Sequence, residues 1–348
     1  MIRLQGKILR EIRAATAGPD LHRYLQSAIE LEHSTIPPYL TAMFSLRAET
    51  NRRISEKIRG VVIQEMLHMT IASNILIAIG GRPAIDTPDF IPTYPGPLPM
   101  DVGNLLVGIE AFSKPLLKNV FMAIEQPEEE VPVRTLKLGK AEPEFATIGA
   151  FYDAIKEQIM ALGPSIFTHT TAPPQVVADH WFPSDKLFVI DSPEAACRAI
   201  DIIKLEGEGS STDPFQAPHD PAHFYQFGSI VAGRELIATP DGFVYGGAPI
   251  EFDPEGVWPL RANCRIADFK PGTQARTRIE QFAYNYSALL KALHAAFNGE
   301  PAKLGAAIGL MYDLRVLSVA MMQTPTGDGS GETVGPSFEY VHAQGGMP

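Results

Sequence analysis

The chain has 348 residues, of which 45% are hydrophobic and 20% are charged, a composition typical of soluble globular proteins with a sizeable core. Its net charge of -11 argues against general binding to nucleic-acid phosphates or anionic lipid surfaces. Cys197 and Cys264 are too few and too far apart for a disulfide framework or a cysteine-based zinc site. We therefore expect a cytoplasmic protein, with no membrane span and no apolar signal-peptide core in Met1 to Arg10.

Clusters of glycine and proline separate a series of predicted helices. The first begins at about Leu21, with Asp20 as its N-cap, and continues through Pro37-Pro38 to Leu46. The remaining predicted helices cover about 51–79, 116–125, 147–162, 193–207, 277–297 and 304–323. Short strands are predicted within 181–190 and 242–245. The pattern predicts a mainly α protein, a helical bundle with long crossover loops in a single domain at 1–323, followed by a glycine-rich covering segment at 324–348.

Glu-x-x-His spacing places a carboxylate and an imidazole one turn apart on the same helix face, where both can bind one ion. The chain contains three copies: Glu30/His33, Glu65/His68 and Glu339/His342. Glu65 lies at the centre of an apolar stripe with His68 beside it, so this pair is predicted to be buried, as metal ligands or as a hydrogen-bonded core pair. The first copy lies on the polar side of its helix and the third in the glycine-rich tail, so both are predicted to be solvated.

Further polar residues interrupt apolar helix faces. Glu32 lies in the apolar stripe of the first helix, as a metal ligand or an ordinary buried ion pair. Glu206 lies on the stripe of the helix at 193–207, whereas Glu208 points away from it. Gly209 stands where a second Glu-x-x-His unit would need its histidine. A helix that restarts within 220–227 would return His223 to the same end of the bundle, which makes it a candidate ligand. The competing histidines are His169, His180 and His219.

In the predicted helix at 147–162, Glu157 lies opposite the apolar stripe formed by residues such as Phe151 and Ile155. It shares its own face with small residues, including Ala150 and Ala154. A face of small residues leaves space for a ligand, but it can equally face water. The pattern alone leaves the role of Glu157 open.

Seven passages carry a resemblance to a known family, in chain order: Ala28-Ile-Glu-Leu-Glu-His-Ser-Thr-Ile-Pro-Pro-Tyr-Leu, Gln64-Glu-Met-Leu-His-Met, Phe121-Met-Ala-Ile-Glu-Gln-Pro-Glu, Ile148-Gly-Ala-Phe-Tyr-Asp-Ala-Ile, Glu206-Gly-Glu-Gly, Ala222-His-Phe and Gly335-Pro-Ser-Phe-Glu-Tyr. They resemble the ferritin-like domain of the iminophenyl-pyruvate dimer synthase type. The resemblance implies a ferritin-like four-helix bundle with additional C-terminal helices. It also implies a metal centre formed by Glu32, Glu65, His68, Glu157, Glu206 and His223.

The resulting hypothesis is a non-haem di-iron, or dimanganese, oxidoreductase acting on a small organic substrate. Glu65 would bridge two ions, with His68 and His223 binding one ion each. By resemblance, the reaction would be the oxidative coupling of imines derived from an amino acid. The alternatives are an iron storage or detoxification bundle and a metal-free structural module. The expected partner is a small-molecule substrate, without nucleic acid or membrane, and a homo-oligomer is compatible with the sequence.

Overall fold

The computed structural model describes residues 6–47, 49–128, 130–133, 147–168, 174–178 and 181–342, with the backbone alone at 101–104. Its helices are α1 (Gly6–Arg13), α2 (Gly18–Phe44), α3 (Arg52–Ala78), α4 (Lys114–Leu116), α5 (Met122–Ile124), α6 (Ile148–Leu162), α7 (Pro193–Glu208), α8 (His223–Ala232), α9 (Gln274–Phe297) and α10 (Leu304–Met322). Within the described ranges, the strands form three antiparallel pairs: β1 (Gly96–Leu98) with β2 (Val102–Val107), β3 (Phe215–Ala217) with β4 (Asp220–Pro221), and β5 (Arg234–Thr239) with β6 (Gly242–Pro249). The mainly α prediction is confirmed. The predicted strand at 242–245 lies within β6, whereas described residues 181–190 form turns and irregular structure.

Four helices form the bundle that carries the buried polar residues. α2 packs along α3, α6 packs along α7, and contacts between α3 and α7 and between α2 and α6 join the two pairs. The interior is apolar, with fully buried side chains such as Leu25, Ile58, Phe151 and Ile200. α8 contacts both α3 and α7, while α9 and α10 pack against each other, and α9 also contacts α3.

The start of α2 differs from the prediction. α2 begins at Gly18, so Asp20 is its third residue rather than its N-cap. The Asp20 carboxylate accepts hydrogen bonds from the backbone N–H groups of Thr16 and Ala17, at 2.8 and 3.0 Å. It still stabilises the helix start, because a carboxylate in the first turn interacts favourably with the helix dipole.

α2 continues through Pro37 and Pro38, as predicted. Neither proline has a backbone N–H, so each removes one hydrogen bond to the preceding turn. The Ser34 carbonyl, which Pro38 cannot serve, accepts a 2.7 Å hydrogen bond from the hydroxyl of Tyr94. A side chain from the loop after α3 therefore replaces one of the missing donors and supports the helix just beyond Glu32.

The segment that precedes α5 contains an irregular helical turn. Residues Leu117–Phe121 form a π-helical turn between α4 and α5, and Glu125 follows α5 directly. Single π-turns occur often at functional sites, because they change the direction of the residues that follow. Here the turn precedes a glutamate whose side chain is almost completely buried.

Among the residues that the structure describes, two helical segments are long and apolar enough to cross a membrane by length and composition alone. The apolar window of α3 is 83% buried inside the protein, as expected for the core helix of a bundle. The window within Pro301–Met322, which contains α10, is only 33% buried. α10 therefore leaves much of its apolar surface exposed.

The C-terminal segment beyond α10 lies on the protein as far as it is described, which is to residue 342. Val334 and Phe338 are buried. The ring of Phe338 makes edge-on contacts with Phe282 and Tyr286 of α9, at centroid distances of 5.2 and 4.9 Å. This segment therefore covers one side of α9.

Candidate metal centre

The first group of potential ligands joins α2 and α3. Glu65 and His68 lie one turn apart on α3, and both are buried. Glu32 of α2 is also buried, with its Oε2 atom 3.5 Å from Nδ1 of His68. One ligand atom from each of the three residues lies within 4.8 Å of the other two. The group offers one nitrogen and two carboxylate ligands, a set that suits iron, manganese or zinc.

A second group of the same type shares Glu65. His223 is the first residue of α8, and its Nδ1 atom lies 2.9 Å from Oε1 of Glu65. The same nitrogen lies 3.3 Å from Oε2 of Glu125. The ligand atoms of Glu65, Glu125 and His223 again lie within 4.8 Å of one another. Glu65 thus stands between two potential ion positions, each with its own histidine and a second carboxylate.

Both histidines direct the same ring nitrogen into the cluster. Nε2 of His68 lies 2.8 Å from the Glu206 carboxylate, and Nε2 of His223 lies 3.0 Å from Oε1 of Gln64. Both partners are hydrogen-bond acceptors, so each Nε2 carries a proton. In a neutral ring, this leaves the lone pair on Nδ1 free to bind a metal.

Glu206 is therefore the outer partner of His68, and it lies outside both ligand groups. Its other carboxylate oxygen accepts a hydrogen bond from Lys186. Burial alone would raise the pKa of Glu206, but the hydrogen bonds from His68 and Lys186 lower it to about 2. The carboxylate is thus charged and fixes the orientation of the His68 ring.

Each carboxylate of the two groups is also held by a buried hydroxyl. The donor–acceptor pairs are Thr35 with Glu65 Oε2, at 3.0 Å, Tyr39 with Glu125 Oε1, and Tyr152 with Glu32 Oε1. In every case the hydroxyl binds one carboxylate oxygen while the other oxygen faces a histidine nitrogen. The carboxylates are therefore oriented before any ion binds, which lowers the entropic cost of assembling the site.

The pKa values of the cluster reflect carboxylates held out of water. Burial, together with the nearby charge of Glu125, raises the pKa of Glu65 to about 7. Burial would lower the pKa of His223, but Glu125 and Glu65 raise it to about 9. Burial would also lower the pKa of His68, but the carboxylates of Glu206 and Glu32 raise it well above the ordinary value. Protonated imidazoles thus balance the carboxylates here, and divalent cations could take their place by displacing the protons.

The cluster faces a cavity of about 40 Å³, lined also by Tyr152, Gly149 and Glu208. This volume has room for about three water molecules at roughly 10–15 Å³ each. The Glu208 carboxylate accepts a backbone hydrogen bond from Gly149, where an added Cβ would lie 2.5 Å from its Oε1 atom. Burial raises the pKa of Glu208 to about 7. The prediction that Glu208 points away is wrong, because the start of α6 lies over the end of α7.

The structure brings Glu32, Glu65, His68 and His223 together and places Glu206 behind His68. It does not bring Glu157 to the cluster. The Glu157 side chain is 59% exposed and forms a 3.1 Å ion pair with Arg13 of α1. Glu157 lies opposite the stripe that α6 buries, and this position directs its carboxylate to solvent.

Glu125 is the cluster residue that sequence reasoning did not select. It stands in one of the passages that carry the family resemblance, directly after the apolar residues Phe121-Met-Ala-Ile. The position of a glutamate at the end of an apolar run is the sequence signal that could have identified Glu125 as a buried residue. Its helical segment is too short and irregular for a helical-wheel argument.

The other candidate residues lie elsewhere. His219 is exposed, as is His342, and the Glu339 carboxylate accepts a hydrogen bond from the backbone of Ile266. His169 and His180 lie outside the described residues. The prediction of a solvated His33 is wrong, because α9 covers it and the Tyr286 hydroxyl lies 2.7 Å from its Nε2.

Comparisons with known proteins agree with this architecture. A family model described as ferritin-like matches residues 25–232, which is more than half of the chain. The crystal structure of a ferritin-like protein from Caulobacter vibrioides is 22% identical and matches 92% of this chain and 98% of its own, with a TM-score of 0.57. At this identity the likeness shows the fold alone. No curated protein sequence matches significantly. The matched region contains every residue of the two ligand groups, and the chain belongs to the ferritin-like family.

Proposed function

We propose that this protein is a non-haem di-metal oxidoreductase acting on a small organic substrate. The observation that carries the proposal is the position of Glu65, shared by two ligand groups that each supply one histidine and one further carboxylate. Such a paired set of ligands could hold two metal ions, one at each group. The proposal takes Glu32, Glu65, His68, Glu125 and His223 as ligands.

Iron is the expected metal, with manganese as the alternative. The two groups offer only carboxylate oxygens and imidazole nitrogens, which suit both ions. Three carboxylates lie in the groups, and a fourth, Glu206, is already balanced by Lys186. Two divalent cations would offset the negative charge that burial makes costly.

When bound, the metal pair would supply the redox chemistry that activates dioxygen or peroxide. The protein would contribute position and proton control. Tyr39, Tyr152 and Thr35 hold the ligand carboxylates in place. The Glu208 carboxyl, with a pKa of about 7, lines the same cavity and could give or take a proton at its Oε atoms near neutral pH.

The size of the cavity indicates that the oxidant and the organic substrate bind at different places. A space of about 40 Å³ accommodates a diatomic oxidant, but not a whole organic substrate. We infer that the organic substrate approaches from the cavity opening, between the start of α6 and the end of α7. Oxidative coupling of imines derived from an amino acid is the finer proposal for the reaction, and its support is the resemblance of the seven sequence passages.

Elemental analysis of freshly purified protein tests the metal proposal. We expect about two iron or manganese ions per chain in the natural protein and in Glu157→Ala, and a loss of metal in Glu65→Ala, which removes the shared ligand. Full metal content in folded Glu65→Ala would contradict the site. Many ions per chain would favour storage, and metal-free protein that also fails to take up added iron or manganese would favour a structural module.

The oxidoreductase part has a separate test. Iron-loaded protein is mixed with dioxygen or peroxide and an imine prepared from an aromatic amino acid, and oxidant consumption is followed together with product mass. We expect coupled product with the natural protein and with Glu157→Ala, but not with Glu65→Ala. Oxidant consumption without any change in the organic compound would contradict the proposed substrate class.

A further inference from the structure

A second concave site lies away from the ligand cluster, between α10 and the adjoining ends of α2 and α3. The groove encloses about 780 Å³ and shares no lining residue with the metal cavity. Its apolar wall includes Met43, Phe44, Val62, Met66, Tyr312 and Val319. Both its size and its apolar lining are within the range of pockets that bind small molecules.

The groove exposes apolar surface that a folded protein normally covers. α10 makes only slight contact with α2, which leaves the groove open between them. Tyr312 and Val319 on α10 are 59% and 39% exposed, and Ile63 on α3 is 45% exposed. Covering this apolar surface would stabilise a complex through the hydrophobic effect. The groove therefore favours an occupant with an extended apolar part.

The rim of the groove is cationic, although the chain as a whole has a net charge of -11. Four arginines line it, Arg47, Arg52, Arg59 and Arg315, against two glutamates. Arg52 is already bound to one of these, Glu56, at 2.8 Å. Within the described part of the chain, neither Arg59 nor Arg315 has a carboxylate within 4.0 Å. Two arginines thus remain available to an acidic group.

Arg47 adds a fixed positive charge to this rim. Its guanidinium carbon lies 4.2 Å from the ring centre of Trp258, which holds the planar group in place. Its Nε atom is buried without a hydrogen-bond partner among the described residues. This buried atom does not face the open groove, so Arg47 contributes to the rim through the positive charge of its guanidinium group.

We propose that the groove binds one amphipathic anion, a long-chain carboxylate with its apolar chain between α10 and the α2–α3 pair and its acidic group at the arginine rim. The apolar wall and the surplus of arginines are both complementary to such a molecule. A second copy inserting its own α10 would bring another Arg315 to a rim already rich in arginine. The site is independent of the metal centre and of the proposed reaction.

Displacement of a fluorescent fatty acid, 11-(dansylamino)undecanoate, from the full-length protein tests this site. Dodecanoate, below its critical micelle concentration, is expected to displace the probe. Dodecyltrimethylammonium, with the same chain length and the opposite charge, is expected to compete about tenfold more weakly or worse. Equal competition by the two detergents would overturn the acidic-ligand assignment.

Two variants locate the binding. Arg59→Gln/Arg315→Gln is expected to weaken dodecanoate binding about tenfold, since hydrogen bonds to charged groups are lost. The matched control Arg10→Gln/Arg82→Gln removes two exposed charges elsewhere and is expected to leave binding within about twofold. Val319→Trp fills the groove from an exposed position and is expected to abolish binding, with an unchanged melting temperature showing that the variant folds.

Several results would overturn the proposal. The first is the absence of saturable probe binding. The second is probe binding that persists in both Arg59→Gln/Arg315→Gln and Val319→Trp. The third is a protein that is dimeric by light scattering and does not bind the probe. Sedimentation with phosphatidylglycerol vesicles without binding of monomeric dodecanoate would instead assign the face to a membrane surface, and would also overturn it.

Discussion

His33 should make the protein sensitive to acid in a way that a single substitution removes. The imidazole is buried between α2 and α9, its Nε2 atom lies 2.7 Å from the Tyr286 hydroxyl, and its Nδ1 atom has no partner among the described residues. Burial alone lowers the pKa of His33 from 6.5 to about 3. A proton therefore binds the unfolded chain at a pH where the folded protein excludes it.

The sign and size of the effect follow from these two values. Because the pKa is lower in the folded state, the free energy of unfolding falls as the pH drops below 6.5, and the fall ends near pH 3. At pH 4.5, two units below 6.5, the cost is about 2.7 kcal/mol, at about 1.36 kcal/mol per unit. His33→Gln removes this cost and leaves the other titrating groups in place.

Urea unfolding at pH 7.5 and 4.5 measures the effect, with a chelator present so that metal release does not enter the comparison. The stability of the natural protein relative to His33→Gln is expected to fall by about 2.7 kcal/mol between the two pH values. His342→Gln, which removes an exposed histidine, is the matched control and should show no such change. A difference between His33→Gln and the natural protein that stays constant with pH would refute a neutral, buried His33.

Three further predictions concern the metal centre and the cysteines. Glu125→Gln removes a ligand from one group only, so elemental analysis should find about half of the bound metal lost; full retention would contradict its role. Glu206 orients His68 without belonging to either ligand group. Glu206→Gln should therefore keep the metal stoichiometry but weaken the affinity for metal about 10- to 100-fold, as measured by chelator competition. Loss of all metal would make Glu206 a ligand. Burial raises the pKa of Cys264 from 9.0 to about 11, which lowers its thiolate fraction at pH 8 about a hundredfold. In a Cys197→Ser background, Cys264 of the folded protein should therefore react with a disulfide reagent about a hundredfold more slowly than Cys264 of the unfolded chain. Equal rates would contradict its burial.

Sequence periodicity predicted the parts of the site that lie on long, regular helices. Glu32, Glu65 and Glu206 interrupt apolar stripes, and all three are buried. The reason is geometric, since a residue at the centre of the stripe must face the bundle whatever its polarity. The predicted burial of His68 follows from the same spacing.

His33 shows where this reasoning ends. It lies beside Glu30 on the polar side of the α2 wheel, and Glu30 is indeed only partly buried, with a 3.0 Å hydrogen bond from Gln26. His33 is buried because Tyr286, 253 residues further along the chain, packs against it. A wheel describes one helix, so it cannot anticipate a second helical layer contributed by α9.

Glu125 and Glu157 show the same limit within the metal centre itself. The α6 wheel placed Glu157 opposite the buried stripe, and its exposed ion pair with Arg13 agrees with that pattern. The resemblance raised it to a ligand, but a resemblance between passages does not establish which glutamate reaches the centre. Glu125 reaches the centre because the π-turn and α5 carry the chain to the point where α8 presents His223. That position depends on a local irregularity and on the packing of two separate segments, neither of which has a periodic signal. Glu125, the proposed ligand that comes from irregular structure, could therefore be identified only from the three-dimensional structure.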